Sequence, residues 1–314
     1  MKKTEINTKF QVQAALDLLQ LFDIFVDTYK TVNDHPIGVH ILIPKTKSTS
    51  GRRPILVKLH GGGWHEGTSD DWWRPWTLEL ALKHNAVVVS PDYRLMPESQ
   101  FQDIADDLRD FWRWVDTDFE ALPGLDVDTS NLAIVGESAG GHLSALSVLL
   151  GFSKQAAVVM LQYPALAIRK HCDYVTRAPA PQVPVSVLDT YLANVDPSKL
   201  LTRAEFATRM DLAYASGQSG RLVDLDRYPH LDPIKSLETA DRIPPVFLFH
   251  GTNDTSVSVK DSQLWVEKLE RLHPDVPIHA VYPHGEHVLD QEATLAEPWL
   301  KEPIAFVERY WPTK

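Results

Sequence analysis

The chain has 314 residues, 44% of them hydrophobic and 23% charged, which is ordinary for a folded globular protein and argues against a fibrous or disordered chain. Its formal net charge of -11, with no compensating cluster of Lys and Arg, argues against nucleic acid as a partner. The single cysteine, Cys172, excludes an intramolecular disulfide. The length fits one large α/β domain with an insertion.

The N-terminal region, residues 1–35, contains the first predicted helix. Residues 4–13 are polar where an export signal needs an apolar core, so we expect a cytoplasmic protein. The apolar stretch 14–26 is interrupted by polar and acidic residues, which does not suit a membrane span and favours an amphipathic helix. We expect this helix to form part of a cap.

Short apolar runs alternate with stretches of helical spacing along the rest of the chain. The predicted strands are residues 39–43, 55–59, 87–89, 132–135, 157–161, 246–249 and 278–282, and the predicted helices include 76–83, 104–115, 143–150 and 262–272. This alternation predicts an α/β fold with a mostly parallel central sheet flanked by helices. Residues 36–163 and 244–314 are assigned to its two parts.

The alternation fails between residues 164 and 243, where prolines separate polar and helical pieces. We interpret this segment as an insertion. With the N-terminal helix it would form a helical cap over the C-terminal ends of the strands, where open α/β sheets bind ligands. The alternative is a surface excursion that only connects two strands.

The pattern G-x-S-x-G at residues 136–140 makes Ser138 a candidate nucleophile. It lies between a predicted strand and a predicted helix, and a serine at such a turn is exposed, with small neighbours because the turn is tight. The pattern alone is not specific, because glycine is common enough for it to arise by chance. Support must come from other parts of the chain.

Three further segments supply what acyl transfer by a serine requires. The glycine run 60–63 follows a predicted strand and is the expected place for an oxyanion hole, since its backbone can approach a substrate closely. Asp254 follows a later strand and is the preferred orienting acid. The last strand is followed by His284 and His287, two candidates for the base. The order Ser138, Asp254, His287 is the order expected in this fold.

The chain resembles the hormone-sensitive-lipase-like esterases of the α/β-hydrolase fold. The motifs that carry the resemblance are His60-Gly61-Gly62-Gly63, Asp92-Tyr93-Arg94-Leu95 followed by Pro97-Glu98, Gly136-Glu137-Ser138-Ala139-Gly140-Gly141, and Gly251-Thr252-Asn253-Asp254. The resemblance implies a triad of Ser138, Asp254 and His287. It also implies oxyanion N–H groups from Gly62, Gly63 and Ala139.

The resemblance favours His287 over His284, because the histidine of this family usually falls five residues after a strand-end position such as Tyr282. Downstream the chain departs from the family, which commonly has small then aromatic residues where this chain has Val288-Leu289-Asp290. This departure leaves the packing of the loop undetermined. It does not affect the assignment of the triad.

Trp64 and Glu137 are the predicted substrate-binding residues. Trp64 belongs to a tryptophan cluster after the glycine run and is interpreted as a pocket wall. Glu137 is interpreted either as a residue that tunes the histidine or binds substrate, or as scaffold of the turn. Asp92 and Arg94 are interpreted as a buried polar link that shapes the glycine loop. No metal site or cofactor is expected, since the histidines lack metal-ligand spacing.

These residues predict a serine hydrolase that cleaves a small or medium carboxylic ester or lactone, with a homodimer possible. A kynurenine-formamidase-like amide hydrolase is one alternative, because such enzymes carry a related His-Gly-Gly-x-Trp run. A biosynthetic tailoring enzyme that reuses the triad for acyl transfer or cyclisation is another. A non-catalytic ligand receptor is disfavoured because all three triad residues are present.

Overall fold

The computed structural model describes residues 1–46, 51–177, 180–196 and 198–313. Within these residues one sheet contains nine strands in the order β1-β2-β3-β5-β4-β6-β7-β8-β9. The strands are β1 (Lys2–Lys3), β2 (Phe22–Val32), β3 (His35–Pro44), β4 (Arg53–Leu59), β5 (Val87–Pro91), β6 (Val127–Glu137), β7 (Ala156–Gln162), β8 (Val246–Phe249) and β9 (Ile278–Val281). Strands β4 to β9 pair in parallel and β1 to β3 add an antiparallel edge, which confirms the mostly parallel sheet.

Helices cover both faces of the sheet. They are α1 (Gln13–Leu19), α2 (Pro75–Lys83), α3 (Phe101–Thr117), α4 (Ala139–Leu149), α5 (Ile168–Val175), α6 (Val185–Asn194), α7 (Met210–Gln218), α8 (Pro233–Ser236), α9 (Val259–Leu272) and α10 (Lys301–Val307). Single 3₁₀ turns occupy Phe119–Ala121, Pro229–Leu231 and Pro298–Leu300. In the part of the chain that the structure describes, no helix is long and apolar enough to cross a membrane.

The sheet is buried on both faces because its central strands are apolar along their whole length. Val57 of β4 pairs with Ile134 of β6, and both belong to the core shared with α3, α4 and α9. Their chain neighbours Leu56 and Ala133 belong to the core on the opposite face, with α1, α2 and α10. Continuous apolar runs are typical of parallel strands that are covered on both sides.

The N-terminal region differs from the prediction. The helix expected over residues 14–26 is wrong beyond Leu19, because residues 22–32 form β2, which pairs with β3 in the sheet. Phe22 and Ile24 pack on one face of the sheet and Phe25 on the other, because successive side chains of a strand point to opposite faces. The predicted boundary at residue 35 therefore falls on the first residue of β3.

The segment between β7 and β8 contains α5, α6, α7 and α8. It has a small apolar cluster of its own, formed by Leu188, Leu212 and Ala215. An isolated antiparallel bridge between Gly67 and Ala204 joins the segment to the loop after β4. The parallel strands β4, β6, β8 and β9 end at the same edge of the sheet, so the loops that carry the glycine run, Ser138, Asp254 and His287 all lie there.

Candidate active site

Ser138 occupies the sharp turn between β6 and α4. Its φ of 53° lies in the left-handed region, which few residues with a side chain adopt. A Cβ at Gly136 would collide with the carbonyl oxygen of Gly140, and one at Gly140 would collide with that of Leu59. The glycines of the G-x-S-x-G pattern are therefore required by close packing, as in a nucleophile elbow.

The structure brings the three predicted triad residues together. His287 Nε2 lies 3.1 Å from Ser138 Oγ, and His287 Nδ1 lies 2.7 Å from Asp254 Oδ2. These distances permit hydrogen bonds along the whole line. The competing His284 is exposed, so the geometry supports His287 as the partner of Ser138.

Asp254 is held as a buried carboxylate. Its Oδ1 accepts the backbone N–H groups of Ser256 at 2.9 Å and Val257 at 2.8 Å, and His250 Nε2 lies 3.1 Å from Oδ2. Burial by itself would raise the pKa of Asp254, but hydrogen bonds from His250 and His287 hold it well below its usual range. The carboxylate therefore stays ionised and can orient the imidazole.

The glycine loop adjoins Ser138. His60 Nδ1 donates to the Gly61 carbonyl oxygen at 2.9 Å, and its ring stacks on Tyr93 with centroids 4.2 Å apart. Burial lowers the pKa of His60 to about 3, so this ring is neutral. The φ angles of Gly62 and Gly63 are 100° and 58°, values that favour glycine.

The N–H groups proposed for the oxyanion hole are those of Gly62, Gly63 and Ala139. Over residues 1–46, 51–177, 180–196 and 198–313, none of the three donates a hydrogen bond to a protein acceptor. All three residues line the same cavity as Ser138. The N–H groups are thus free to meet a substrate oxygen.

Asp92 and Arg94 do not bind each other, which corrects the predicted link between them. Asp92 Oδ1 accepts the backbone N–H of Ser69 at 2.7 Å, and its Oδ2 lies 2.8 Å from Arg203 Nη1. Arg94 instead pairs with the buried Asp107, with 2.8 Å between Nε and Oδ2. Only Asp92 therefore shapes the loop that follows the glycine run.

Glu137 lines the cavity beside Ser138 and is buried in an ion-pair network. Its carboxylate pairs with Arg74, whose Nε also lies 3.2 Å from Asp290 Oδ1. Lys58 Nζ lies 3.7 Å from Glu137 Oε1, and the Tyr163 hydroxyl lies 2.9 Å from Arg74 Nη2. Burial would lower the pKa of Arg74, but Glu137 and its other partners raise it well above the usual range. The scaffold interpretation of Glu137 fits this geometry.

Four members of this network, Lys58, Arg74, Tyr163 and Asp290, were not among the residues singled out for the site. Arg74 and Asp290 are 216 positions apart, so no local pattern could connect them. Asp290 could have been identified from the segment Val288-Leu289-Asp290, where the chain departs from the family pattern after the histidine. A buried carboxylate needs a buried cation, and Arg74 is that cation.

A cavity of about 430 Å³ opens beside Ser138. Trp64 is buried in its wall and donates through Nε1 to His142 Nδ1 at 3.3 Å, while Trp72 lines the cavity near Phe206. Trp73 and Trp76 belong to the core on the opposite face of the sheet. Among the described residues, no three His, Cys, Asp or Glu side chains cluster as metal ligands.

The sheet, the elbow and the hydrogen-bonded line from Ser138 to Asp254 define an α/β-hydrolase with the arrangement that acyl-transfer enzymes of this fold use. The BD-FAE family model matches residues 39–269. The chain belongs to this family, within the hormone-sensitive-lipase-like carboxylesterases, and is a carboxylic ester hydrolase.

Individual relatives agree with this assignment. The probable carboxylesterase M8 of Phoma sp. is 30% identical over 306 residues, which cover 90% of this chain and 94% of the relative. Carboxylesterase NlhH of Mycobacterium tuberculosis is 35% identical over 144 residues, 45% of this chain and 44% of that one. Esterase 2 of Thermogutta terrifontis, solved after phosphoramylation by tabun, superposes with a TM-score of 0.62 at 20% identity, covering 93% of this chain and 97% of that chain, and supports the fold.

Proposed function

We propose that the protein hydrolyses a small or medium carboxylic ester or lactone through an acyl-enzyme on Ser138. The proposal rests on the two consecutive hydrogen bonds of the triad. Ser138 Oγ lies 3.1 Å from His287 Nε2, and His287 Nδ1 lies 2.7 Å from Asp254 Oδ2. Such an arrangement activates a serine that is otherwise a weak nucleophile.

In the acylation step His287 Nε2 takes the proton of Ser138 while Oγ attacks the ester carbonyl carbon. The oxygen of the tetrahedral intermediate is stabilised by the N–H groups of Gly62, Gly63 and Ala139. Asp254 holds Nδ1–H of the imidazole and stabilises the imidazolium. The histidine then gives its proton to the leaving alkoxide, which departs as the alcohol.

Deacylation uses the same groups in reverse. A water molecule gives a proton to His287 as its oxygen attacks the acyl carbon, and the second tetrahedral intermediate collapses to release the acid and restore the Ser138 hydroxyl. A bound alcohol could replace water here, which would make the reaction an acyl transfer. In a lactone the leaving alkoxide stays attached to the acyl group.

The cavity supports a limit on substrate size. About 430 Å³ lies in the range of pockets for small ligands. Met210 and Ala213 of α7 and Phe206 line it from the segment 164–243. This contribution favours a role of that segment as a cap, and with it an enclosed substrate over a long lipid chain.

The test is a comparison of initial rates for wild type, Ser138→Ala, His287→Ala and His284→Ala on p-nitrophenyl esters of increasing acyl length, a lactone series and N-formylkynurenine. Loss of the serine or of His287 should lower kcat/KM on an ester or lactone by about 10⁴-fold or more. His284→Ala is the matched control and should retain wild-type rates. Turnover of the formamide alone would move the reaction to amide hydrolysis.

The acyl-enzyme can be observed directly. A slow ester mixed with the protein and quenched in acid should add the mass of one acyl group, located on the peptide that contains Ser138. Retention of activity by Ser138→Ala would overturn the proposal. Absence of turnover by the wild type on every compound would favour the tailoring or binding alternatives.

A further inference from the structure

Among the described residues, the wall of the cavity beside Ser138 contains four enclosed polar atoms without a hydrogen-bond partner: His60 Nε2, Asp71 Oδ2, Trp72 Nε1 and His171 Nδ1. Arg74 and Glu137 bind each other, and His60 Nδ1 binds the Gly61 carbonyl oxygen. His171 of α5 also lines the cavity, yet its Nδ1 is enclosed without a hydrogen-bond partner. Within the stretches that the structure describes, its Nε2 makes no hydrogen bond to protein either.

His171 lies close to the candidate triad. Its ring centroid is 6.2 Å from that of Trp64, and the charges of His287 and Asp254 both affect its pKa. Burial lowers the pKa of His171 to about 4, so the imidazole is neutral at neutral pH. A neutral imidazole has one N–H donor and one lone pair. Because Nδ1 is closed off, Nε2 is the nitrogen left to meet a ligand.

The hydroxyl side chains of Tyr214 and Ser256 line the same cavity. Tyr214 of α7 interacts with the Ser256 hydroxyl, and the charge of Asp254 affects the pKa of Tyr214 as it does that of His171. Near them the wall is apolar, with Val175 and Leu222. A few polar groups in an otherwise apolar pocket usually fix the orientation of a ligand.

We propose that His171, Tyr214 and Ser256 form a subsite for an oxygen atom of the substrate other than those of the reacting ester. The inference rests on the proposed function, in which Ser138 attacks an ester in this cavity. The preferred substrates are then esters or lactones that carry a further hydroxyl group. A hydroxyl can donate to one of these side chains and accept from another, whereas a plain alkyl chain leaves the imidazole of His171 unpaired.

The test uses two matched pairs of esters. Ethyl butyrate and ethyl 3-hydroxybutyrate differ by a hydroxyl on the acyl side, and butyl acetate and 3-hydroxybutyl acetate differ by one on the alcohol side. We expect wild type to prefer the hydroxylated member of at least one pair by about tenfold in kcat/KM, the effect of one good hydrogen bond. His171→Phe should abolish that preference, so that the ratio of kcat/KM between the two members of the pair falls from about ten to about one.

Two further variants separate hydrogen bonding from shape. His171→Gln places an amide nitrogen near the position of Nε2 and should keep part of the preference, and Tyr214→Phe should reduce it without changing ring volume. Thermal unfolding of each variant checks that it is folded.

Equal rates on both members of each pair in wild type, or an unchanged preference in His171→Phe, would overturn the subsite. Neither result affects the role of Ser138, which Ser138→Ala tests separately. Conversely, activity retained by Ser138→Ala would overturn the proposed function whatever the His171 variants show.

Discussion

The ring of Tyr163 stands at 65° to the imidazole of His287, with the two centroids 4.7 Å apart. The hydroxyl at the other end of this side chain lies 2.9 Å from Arg74 Nη2 and 3.0 Å from Asp290 Oδ1. One side chain therefore contacts both the candidate base and the buried ion pairs behind it. The two contacts can be separated by mutation.

Tyr163→Phe keeps the ring against His287 and removes only the hydroxyl. We expect the free energy of unfolding, measured in urea, to fall by about 1–3 kcal/mol, because buried charged partners lose a hydrogen bond. The value of kcat/KM should stay close to wild type. Tyr163→Ala should lose both stability and rate. If Phe and Ala lower kcat equally, the hydroxyl network and not the ring contact positions His287.

Asp254→Asn should lower kcat by about 10⁴-fold with little change in KM, because the amide cannot hold the imidazole in the required tautomer. Rapid-mixing kinetics of wild type and Asp254→Asn on the best ester substrate would measure the change in kcat. The exposed Asp275→Asn is the matched control and should behave as wild type. A loss of tenfold or less would show that Asp254 does not orient His287.

The same variant tests the pH dependence of stability. The pKa of Asp254 is lower in the folded than in the unfolded chain, so its contribution is complete above the unfolded value of about 4 and is lost as pH falls below it. The difference in unfolding free energy between wild type and Asp254→Asn should thus be largest near neutral pH and shrink below about pH 4. Urea titrations over that range give the curve, and a constant difference would contradict the assignment.

Gly62→Ala should damage the oxyanion loop. Its φ is 100°, and a Cβ would collide with the backbone carbonyl of Glu66. Gly151 is the matched control, because its φ of 67° also disfavours alanine but nothing lies within 4 Å of the added carbon. Gly151→Ala should lose about 1–2 kcal/mol of stability from its backbone conformation alone, and Gly62→Ala should lose more because of the added collision.

Only Gly62→Ala should lower kcat, by about 10²–10³-fold, as when an oxyanion donor is displaced. Steady-state kinetics of the two variants, at a temperature where both are folded by circular dichroism, make the comparison. An unchanged kcat for Gly62→Ala would remove this loop from the catalytic proposal.

Arg209 joins the segment 164–243 to the loop that follows the glycine run. It lies 2.6 Å from Glu98 Oε2 and donates from Nε to the His65 carbonyl oxygen at 2.7 Å. Arg209→Met leaves the buried Glu98 without its cationic partner, with only the Tyr191 hydroxyl donating to it, and should lower the free energy of unfolding by about 3–5 kcal/mol. KM should rise as well, because α7 lines the cavity.

The exposed pair Arg221–Asp189 provides the control. Arg221→Met should lower the free energy of unfolding by less than about 1 kcal/mol. Adding Glu98→Gln to Arg209→Met should recover part of the lost unfolding free energy, because the buried charge is removed along with its partner. If Arg209→Met and Arg221→Met lowered the free energy of unfolding equally, the buried Arg209–Glu98 pair would contribute no more to stability than the exposed one.

The parts of the fold that the sequence predicted are those with local signals. The runs of β4 and β6 and the turn at Ser138 could be recognised because apolar strands and small residues at a tight turn follow from a few neighbouring positions. The choice of His287 over His284 depended on the family resemblance. Homodimer formation and the cytoplasmic location stay predictions.

Other features had no local signal. β2 was missed because acidic residues within an apolar stretch suit an amphipathic helix as well as a strand, and only pairing with β3 decides between them. The position of His171 in the cavity wall depends on how α5 packs, which the irregular segment 164–243 did not reveal.

The four buried charges of Lys58, Arg74, Glu137 and Asp290 sum to zero, with two of each sign. Neutralising any one of them alone would leave a net charge in the low-dielectric interior directly behind the elbow. The evolutionary consequence is that these positions are coupled over more than 200 residues of sequence. A lineage that loses Arg74 should also lose Glu137 or Asp290, so the corresponding columns of a family alignment should covary.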